Sequence, residues 1–396
     1  MTAAEPYRLS PLELACGLIL GPTLEVELPP TASTATEAFE RATLTALERP
    51  PCFVSFSGGR DSSAVLAAAV QAARRRGLPL PIPVTMLFPT RAQTDERRWQ
   101  ELVVAHLDVP DWVRLEPADE LDVVGPVARD ALKAHGVLWP ANTHMHVPVF
   151  RVAAGGSLLT GIGGDELFAR PRWARVLAVL GRRAPLRLRD LPRLAHALAP
   201  GPVRLLVHNR RFPALPAPWL TPAAEEQVRR HLAAEAAREP VRWQRRVRRL
   251  AGLRYVQAGT RSFAVLAEDW GVHAVHPFCD LGFLGAVARM DRAQRFAART
   301  EGMARLFGES LPGPTVERAT KAAFGHVLWG ESARAFAKRW NGEGVDPELV
   351  DGEVLRRVWA GPEPDSRTYP LLQAGFLARE ADSALGESEQ PVAGWG

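Results

Sequence analysis

The sequence predicts an α/β protein: a parallel sheet with helices on both faces, followed by an α-helical C-terminal region. Two observations predict the sheet, namely short apolar runs that end in glycine-rich turns and helix-forming runs directly after those turns. A third observation, the lack of alternating apolar strands from about 170 to 250, predicts a helical layer there. Ligands of such sheets bind at the carboxyl ends of the strands, so we expect the functional residues in the turns.

A helix rich in alanine and threonine is predicted at about 36–48, and it leads into an apolar strand at 52–56. The turn at 57–62 then reads Ser-Gly-Gly-Arg-Asp-Ser. Two adjacent glycines let backbone N–H groups approach a ligand at the positive end of the next helix, which suits a phosphate. A tight turn with N-cap serines would explain the same residues except Asp61. A carboxylate beside a phosphate site implies a divalent cation between them.

Two more strands are predicted before residue 120. Residues 83–88 form the first apolar run, a helix is expected from 94 to about 106, and a short strand is expected at 112–115. Between 119 and 149 a helical pattern is interrupted by three prolines. This order of strand, helix, strand and helix is typical of a parallel sheet.

A second glycine-rich turn follows the apolar run at 156–160 and reads Gly-Ile-Gly-Gly-Asp-Glu. The helix dipole alone favours acids at a helix start, so a capping role is one interpretation of Asp165 and Glu166. However, two such turns in one parallel sheet emerge at the same edge. That placement would bring Asp61 and Asp165 close enough to share a cation.

The second half of the chain offers fewer signals. The arginine cluster at 242–249 is interpreted as a solvated helix face or, alternatively, as a docking surface for an acidic peptide or carrier. A strand-like run follows at 271–276, and the tail from 346 is helical to about 382. Lys321 is one of only three lysines in a chain that otherwise uses arginine, which favours an active-site role for it.

Composition excludes several classes of protein. The 396 residues are 46% hydrophobic, enough for a large core, and carry a formal net charge of +5. Because arginine supplies nearly all the positive charge, we interpret it as compositional bias and expect no nucleic-acid partner. Three separated cysteines predict neither a disulfide framework nor a zinc site, and they fit a reducing cytoplasm. No apolar run approaches the roughly 20 residues of a membrane span, so no membrane association is expected.

Together these motifs resemble the synthetase domain of the asparagine synthetase family, which has an adenine nucleotide alpha hydrolase-like fold of the PP-loop type. The resemblance covers residues 40–335 and is closest in motif form to the lasso peptide macrolactam cyclases. Beyond the two glycine turns, it rests on Asp95-Glu96, Pro277-Phe278-Cys279-Asp280, Lys321 and Phe324-Gly325. It implies an N-terminal arm and helix at 1–48, a synthetase domain at 49–335 with a helical insertion at about 170–250, and a helical tail at 336–396.

The resemblance implies that a substrate carboxylate attacks the α-phosphate of ATP, giving an acyl-adenylate and pyrophosphate, and that an amine then forms the amide. ATP and Mg²⁺ are the implied cofactors, with Asp61 and Asp165 as metal ligands. Lys321 would stabilise the transferring phosphate or the later oxyanion. Adenine would be gripped by main chain near Phe56, Met86 and Leu87. The residues implied to surround the phosphates are Ser57, Gly58, Gly59, Ser62, Gly161, Gly163 and Gly164.

Ile162 departs from the family pattern. Asparagine synthetase has Glu at this position and β-lactam synthetase has Tyr, whereas isoleucine can neither accept a proton nor bind ammonium, so we do not expect asparagine formation. His273 and His276 lie in the region that supplies the other member of that polar pair, and they are candidate bases. Thr2 stands where a glutaminase would carry its cysteine. We therefore expect the amine to come from the substrate or from a partner protein of a biosynthetic pathway.

The expected reaction is macrolactam closure of a peptide, or formation of an amide in a specialised metabolite. Two alternatives stay open: a PP-loop enzyme that adenylates an RNA base, and a non-catalytic scaffold that holds a biosynthetic partner through its arginine-rich middle. Carboxylate-dependent exchange of pyrophosphate into ATP would support the expected reaction. Binding of tRNA that weakens with salt would support the RNA-adenylating enzyme, and failure to bind Mg·ATP would support the scaffold.

Overall fold

The computed structural model describes residues 5–88, 96–318 and 325–388. At its centre lies a five-stranded sheet in the order β3-β2-β1-β4-β5, in which neighbouring strands are parallel. The strands are β1 (Cys52–Ser55), β2 (Ile82–Met86), β3 (Val113–Leu115), β4 (Ser157–Leu159) and β5 (His273–Val275). The predicted class, an α/β fold with a parallel sheet, is confirmed.

Helices connect the strands and form the rest of the described chain. Those before β4 are α1 (Pro11–Cys16), α2 (Ala35–Leu47), α3 (Arg60–Arg76), α4 (Arg97–Leu107), α5 (Pro126–His135) and α6 (Val147–Val152). Those between β4 and β5 are α7 (Gly164–Leu167), α8 (Ala174–Leu180), α9 (Leu191–Leu198), α10 (Gly201–Arg211), α11 (Pro222–Ala237), α12 (Trp243–Ala251) and α13 (Arg254–Glu268). Those after β5 are α14 (Leu281–Arg289), α15 (Arg299–Phe307), α16 (Gly313–Glu317), α17 (Gly325–Leu328), α18 (Glu331–Arg339), α19 (Gly352–Trp359) and α20 (Tyr369–Ser388). None of the helices in the described part of the chain has the length and apolar character needed to cross a bilayer.

The sheet is buried on both faces. Val54 of β1 packs into a core with residues of α2, α3 and α14, whereas its neighbour Phe53 packs into a second core with residues of α5, α6 and α13. Successive side chains of a strand point to opposite faces, so this alternation shows that helices cover both sides. The prediction of helices on both faces is therefore confirmed.

A third core lies among the helices of the C-terminal region and includes residues of α1 and α11. Trp219 and Trp329 are the largest of its fully buried side chains, and Trp329 stacks on Tyr369 with ring centroids 5.8 Å apart. The indole of Trp219 donates a hydrogen bond to the Ala15 carbonyl at 2.9 Å. The helices after β5 that contribute to this core confirm the predicted α-helical C-terminal region.

The strand order places both glycine turns at one crevice. From β1 the sheet grows through β2 and β3 on one side and through β4 and β5 on the other. The connections after β1 and β4 diverge at such a reversal of strand order, and they leave an opening at the carboxyl ends of the two strands. The turns at 57–62 and 161–166 therefore lie side by side.

Candidate active site

A cavity of about 500 Å³ opens at the carboxyl ends of β1, β2 and β4. We call it the loop cavity, because the turn at 57–62 forms one of its walls. One half of the cavity is polar and the other half is apolar. The polar half is lined by Ser57, Gly59, Arg60, Asp61, Ser62, Glu96, Gln100, Asp165, Arg299 and Arg318, and the apolar half by Phe56, Val84, Met86, Phe88, Met145, Val149 and Ile162.

The first glycine turn is held by its own serines. The Ser57 amide donates to Oγ of Ser62 at 3.2 Å, and the Gly59 amide donates to Oγ of Ser57 at 3.2 Å. Gly58 has a φ of +79°, and a Cβ atom there would lie 2.8 Å from Cγ of Gln100. Both the left-handed backbone and the close approach require glycine at this position. The turn leads directly into the N-terminus of α3, whose N–H groups favour an anion.

Arg318 fixes the carbonyl side of this turn, and sequence reasoning missed it. Its guanidinium donates to the Gly58 carbonyl at 2.8 Å, pairs with Glu96 and lies 4.9 Å from the centre of the Trp99 ring. Arg318 and Glu96 are only 6% and 7% exposed. Removing one member of a buried ion pair leaves the other charge without compensation, which is costly. The pair therefore ties the turn to the start of α4.

The second glycine turn packs directly against the first. A Cβ atom on Gly161 would lie 3.0 Å from the amide nitrogen of Ser62, and one on Gly164 would lie 2.5 Å from Cγ of Asp61. Even a methyl group would collide with the first turn at Gly164. The glycines thus allow the two turns to touch, and this contact brings Asp61 and Asp165 to the same cavity.

Residues of the Pro-Phe-Cys-Asp motif cover the other side of the second turn. Gly163 has a φ of +95°, and a Cβ atom there would lie 2.7 Å from Sγ of Cys279. The Cys279 thiol donates to the Ile162 carbonyl at 3.5 Å, and Phe278 is buried against Phe39 with ring centroids 4.8 Å apart. The motif thus supports the turn from behind, while Ile162 lines the cavity.

Arg299 joins the two acids that were predicted to bind the metal. One guanidinium nitrogen lies 2.5 Å from Oδ1 of Asp165, and the other pairs with Oδ2 of Asp61. Within the described residues, no group of three or more His, Cys, Asp or Glu side chains is placed to hold a metal ion. Two carboxylates around one cationic group nevertheless fit Mg²⁺, which typically takes one or two protein carboxylates together with phosphate oxygens and water.

Three arginines, Arg60, Arg299 and Arg318, share the polar half of the cavity with three carboxylates, those of Asp61, Glu96 and Asp165. Burial, followed by repulsion from Arg299, lowers the pKa of Arg60. Arg60 also donates to Oγ1 of Thr300 at 3.3 Å. Arg318 is paired with Glu96, and Arg299 is paired with Asp61 and Asp165, so a cation that took the two acids would release Arg299 to bind a phosphate beside Arg60. No sequence pattern distinguishes Arg299 or Arg318, because both are single members of a large arginine population.

The main chain predicted to grip adenine is largely engaged within the sheet. The Phe56 amide donates to the Val84 carbonyl at 2.9 Å, and the Phe56 carbonyl accepts from Oγ1 of Thr85 at 2.8 Å. The Leu87 amide donates to the Leu115 carbonyl at 2.7 Å. These backbone groups at Phe56 and Leu87 are therefore committed to the fold.

Side chains, rather than those backbone groups, form the apolar half of the cavity. Met86 and Phe88 come from the end of β2, and Met145 and Val149 come from the opposite wall. An apolar set of side chains beside a polar set that contains arginines matches the two ends of a nucleotide. Of the three positions predicted to contact adenine, Phe56 and Met86 line the cavity.

Two neutral histidines lie beneath the second turn. Nδ1 of His276 lies 2.6 Å from Oγ1 of Thr160, and its ring lies 5.1 Å from that of Phe263. His146, which the sequence did not single out, lines the cavity itself, and its Nδ1 atom is buried without a hydrogen-bond partner among the described residues. Burial lowers the pKa of both histidines to about 4. Both are therefore uncharged at neutral pH.

His273 lies at the amino end of β5, away from the cavity. It is the first residue of β5 and pairs with Ser157 at the start of β4, and its amide donates to the Gly156 carbonyl at 2.9 Å. The cavity opens at the other ends of these strands. Of the two histidines predicted as bases, the structure brings only His276 near the turns.

Lys321 lies outside the described residues, together with Asp95 and Phe324 of the family motifs. Its predicted catalytic role stays a prediction. Gly325, the last residue of that motif, is the first residue of α17.

Comparison with known families agrees with this geometry. The family model described as asparagine synthase matches residues 35–381, which is most of the chain. A search of individual curated proteins finds no match. The matched segment includes the sheet, both glycine turns and every wall of the loop cavity. The chain therefore belongs to the asparagine synthase family of ATP-dependent ligases that form amides.

Proposed function

We propose that this protein adenylates a carboxylate of its substrate, releases pyrophosphate and couples the activated acyl group to an amine. The observation that carries the proposal is the contact between the two glycine turns. It brings the turn at 57–62, the carboxylates of Asp61 and Asp165 and three arginines around a single cavity. An opening at the carboxyl ends of parallel strands is where such sheets bind nucleotides.

In this proposal the phosphates of ATP lie against residues 57–62 and the adenine lies in the apolar half. Asp61 and Asp165 would hold Mg²⁺, which supplies charge neutralisation on the leaving pyrophosphate when bound. The Arg299 guanidinium then leaves the two acids and is free to bind phosphate oxygens. The hydroxyls of Ser57 and Ser62, which now bond within the turn, would rotate to donate to the phosphates.

The bond changes of the first step are those of an acyl-adenylation. A carboxylate oxygen of the substrate forms a bond to the α-phosphorus, and the bond from the α-phosphorus to the bridging oxygen breaks, so that pyrophosphate leaves with the electron pair. In the second step the amine nitrogen attacks the acyl carbon, AMP leaves, and the amine loses a proton. Neutral His146 lines the cavity and is the candidate to accept that proton, since Ile162 cannot.

We further propose that the product is a macrolactam within a peptide, or another specialised amide, rather than asparagine. Ile162 supports this proposal, because it lies at the cavity wall and packs among apolar side chains of the second core. An apolar surface there suits an amine delivered by a folded peptide better than free ammonia. The similarity in motif form to lasso peptide cyclases supports the same substrate class.

Calorimetric titration with Mg²⁺ and an ATP analogue that cannot be cleaved between the α and β phosphates tests the proposal. We expect saturable binding to the wild type and at least about tenfold weaker binding to Asp61→Asn and Asp165→Asn, since each loses a charge that the metal requires. Asp130→Asn changes an exposed acid of α5 and serves as the matched control. Wild-type protein that does not bind the analogue would refute the proposal.

A further inference from the structure

Two more cavities lie beside the loop cavity and share a wall with each other. One measures about 540 Å³ and is bordered by α11, α12 and α13, and the other measures about 480 Å³ and is bordered by α8, α9 and α10. Arg170, Pro171 and Arg172 line both of them. We call the combined depression the arginine trough.

The trough is strongly positive. Seven arginines and three glutamates line it, and no lysine or aspartate does. Two of the glutamates are already neutralised: Glu235 pairs with Arg249, and Glu239 lies 3.5 Å from Arg172. Arg175 and Arg254 also have acidic partners, Asp190 at 2.6 Å and Glu13 at 4.0 Å, which lie outside the lining. Three arginines of the trough have no carboxylate within ion-pair distance in the described part of the chain, namely Arg170, Arg193 and Arg246.

Arg246 is the clearest of these unbalanced charges. Its guanidinium lies 4.9 Å from the centre of the Trp243 ring, and among the described residues no carboxylate is within ion-pair distance of it. Burial lowers its pKa, with a smaller opposing effect from Glu239. Nε of Arg249 is also buried without a hydrogen-bond partner in the described part of the chain. A desolvated cation without a partner is costly, and a bound carboxylate would offset that cost.

The segment of α8, α9 and α10, which borders the trough, carries much exposed apolar surface. Of the eleven large hydrophobic side chains that are exposed among the described residues, eight fall between residues 180 and 206. Leu188 is the most exposed of them, at 86%. Exposed apolar side chains that concentrate on helices in contact with each other favour an interaction site. A ligand that fits this face must combine apolar side chains with negative charge.

The trough ends at the turn that carries the proposed metal ligand. Glu166 lines the trough, whereas the adjacent Asp165 lines the loop cavity. Tyr255, which also lines the trough, hydrogen-bonds to the side chain of Glu166. A chain lying in the trough would therefore reach the loop cavity across a single helical turn, α7.

We infer that the arginine trough binds an acidic segment of the peptide substrate and directs the reacting carboxylate toward the turn of Asp165. The inference rests on the proposed function and narrows its substrate class to peptides that carry more than one carboxylate and apolar side chains beside them. Charge complementarity selects this occupant, because carboxylates pair with guanidinium groups in a bidentate geometry.

Fluorescence anisotropy of the full chain with labelled peptides tests the inference. One peptide alternates Glu with Leu, and its counterpart replaces every Glu by Gln. We expect the acidic peptide to bind at least about tenfold more tightly, and we expect the difference to shrink as ionic strength rises and exposed charges are screened. Equal affinity for the two peptides would overturn the inference.

Matched variants locate the binding site. Arg246→Gln should weaken binding of the acidic peptide about tenfold, because it removes a desolvated cation, whereas Arg245→Gln changes an exposed arginine of the same helix outside the trough and should have little effect. Arg193→Gln, an exposed change on α9, repeats the test without disturbing a buried contact.

Equal losses at Arg245 and at the two trough positions, or tighter binding of a single-stranded oligonucleotide or of anionic vesicles than of the acidic peptide, would contradict the inference. Unchanged Mg·ATP binding in these variants separates its outcome from that of the proposed function.

Discussion

Gly164 leaves no space for a side chain beside Asp61, since a Cβ atom at this position would lie 2.5 Å from Cγ of the acid. This contact couples two turns that are about 100 residues apart in the sequence. It also sets the position of Asp61 relative to Asp165, because Asp165 directly follows Gly164.

We predict that Gly164→Ala lowers the free energy of unfolding by about 1–3 kcal/mol, as expected for overpacking, and weakens Mg·ATP binding. Alanine is otherwise favoured over glycine in a helix by about 1 kcal/mol. A lower free energy of unfolding would therefore come from the collision with Asp61. Gly201 is likewise the first residue of a helix, but nothing lies within 4 Å of its Cβ position. Gly201→Ala is therefore the control, and equal stability of the two variants in urea titrations would contradict the prediction.

The buried pair of Arg318 and Glu96 gives a second prediction. Arg318→Met should lower the free energy of unfolding by about 3–5 kcal/mol, because Glu96 would stay buried without its partner. The double variant with Glu96→Gln should recover part of the loss, since no uncompensated charge then remains. Urea unfolding of the single and double variants measures both effects. A double variant that is as unstable as the sum of the two single changes would show that the pair is not coupled.

Arg299 gives a prediction about the metal in the absence of nucleotide. Its guanidinium lies between Asp61 and Asp165, where it competes with a cation. We expect Mg²⁺ alone to raise the melting temperature of Arg299→Met more than that of the wild type, since binding to the folded state is stabilising. Arg305→Met, on the same helix, is the control because Arg305 pairs with Glu301 instead. Identical Mg²⁺ responses of Arg299→Met and the wild type would show that the guanidinium does not occupy the metal position.

His276 gives a prediction about pH. Its pKa is about 4 in the folded chain, against an ordinary value of about 6.5 when unfolded. Between these values the unfolded state binds more protons, so the free energy of unfolding falls as the pH drops from about 6.5 to 4, by roughly 3 kcal/mol from this group. His276→Asn should remove the share of this slope that comes from His276, while His146, whose pKa is also about 4, keeps its own share. His106→Asn, an exposed change on α4, should leave the slope intact. A profile unchanged by His276→Asn would contradict the prediction.

Much of the fold was predictable because its signals are local. Apolar runs located all five strands within a few residues, glycine turns marked the ends of β1 and β4, and the alternation of strands and helices indicated a parallel sheet. The proline-interrupted segment at 119–149 and the arginine-rich segment after 170 were predicted to be helical, and both contain helices. What local patterns could not provide was the strand order, which depends on packing between distant segments.

The site was only partly predictable for the same reason. Residues 57–62 and Asp165 carry their own motif, but Arg299, Arg318 and His146 reach the cavity from segments with no distinguishing pattern. For His273 the sequence was misleading instead. Its position in a motif region suggested a base, yet the register of β5 places it at the amino end of the strand, away from the cavity. In a chain with so many arginines, residue type alone does not show which of them reach the cavity, because that depends on the fold of the backbone.

Exchange of labelled pyrophosphate into ATP tests the central claim most directly, because it occurs only if a carboxylate is adenylated reversibly. The labelled exchange is measured with an acidic peptide and with its carboxamide counterpart, using wild-type protein and Asp165→Asn. We predict exchange with the wild type and the carboxylate peptide, none with the carboxamide, and a loss of at least about a hundredfold in Asp165→Asn, in line with the removal of a charge that stabilises the leaving group. Exchange at the wild-type rate in Asp165→Asn, or with the carboxamide peptide, would contradict the account.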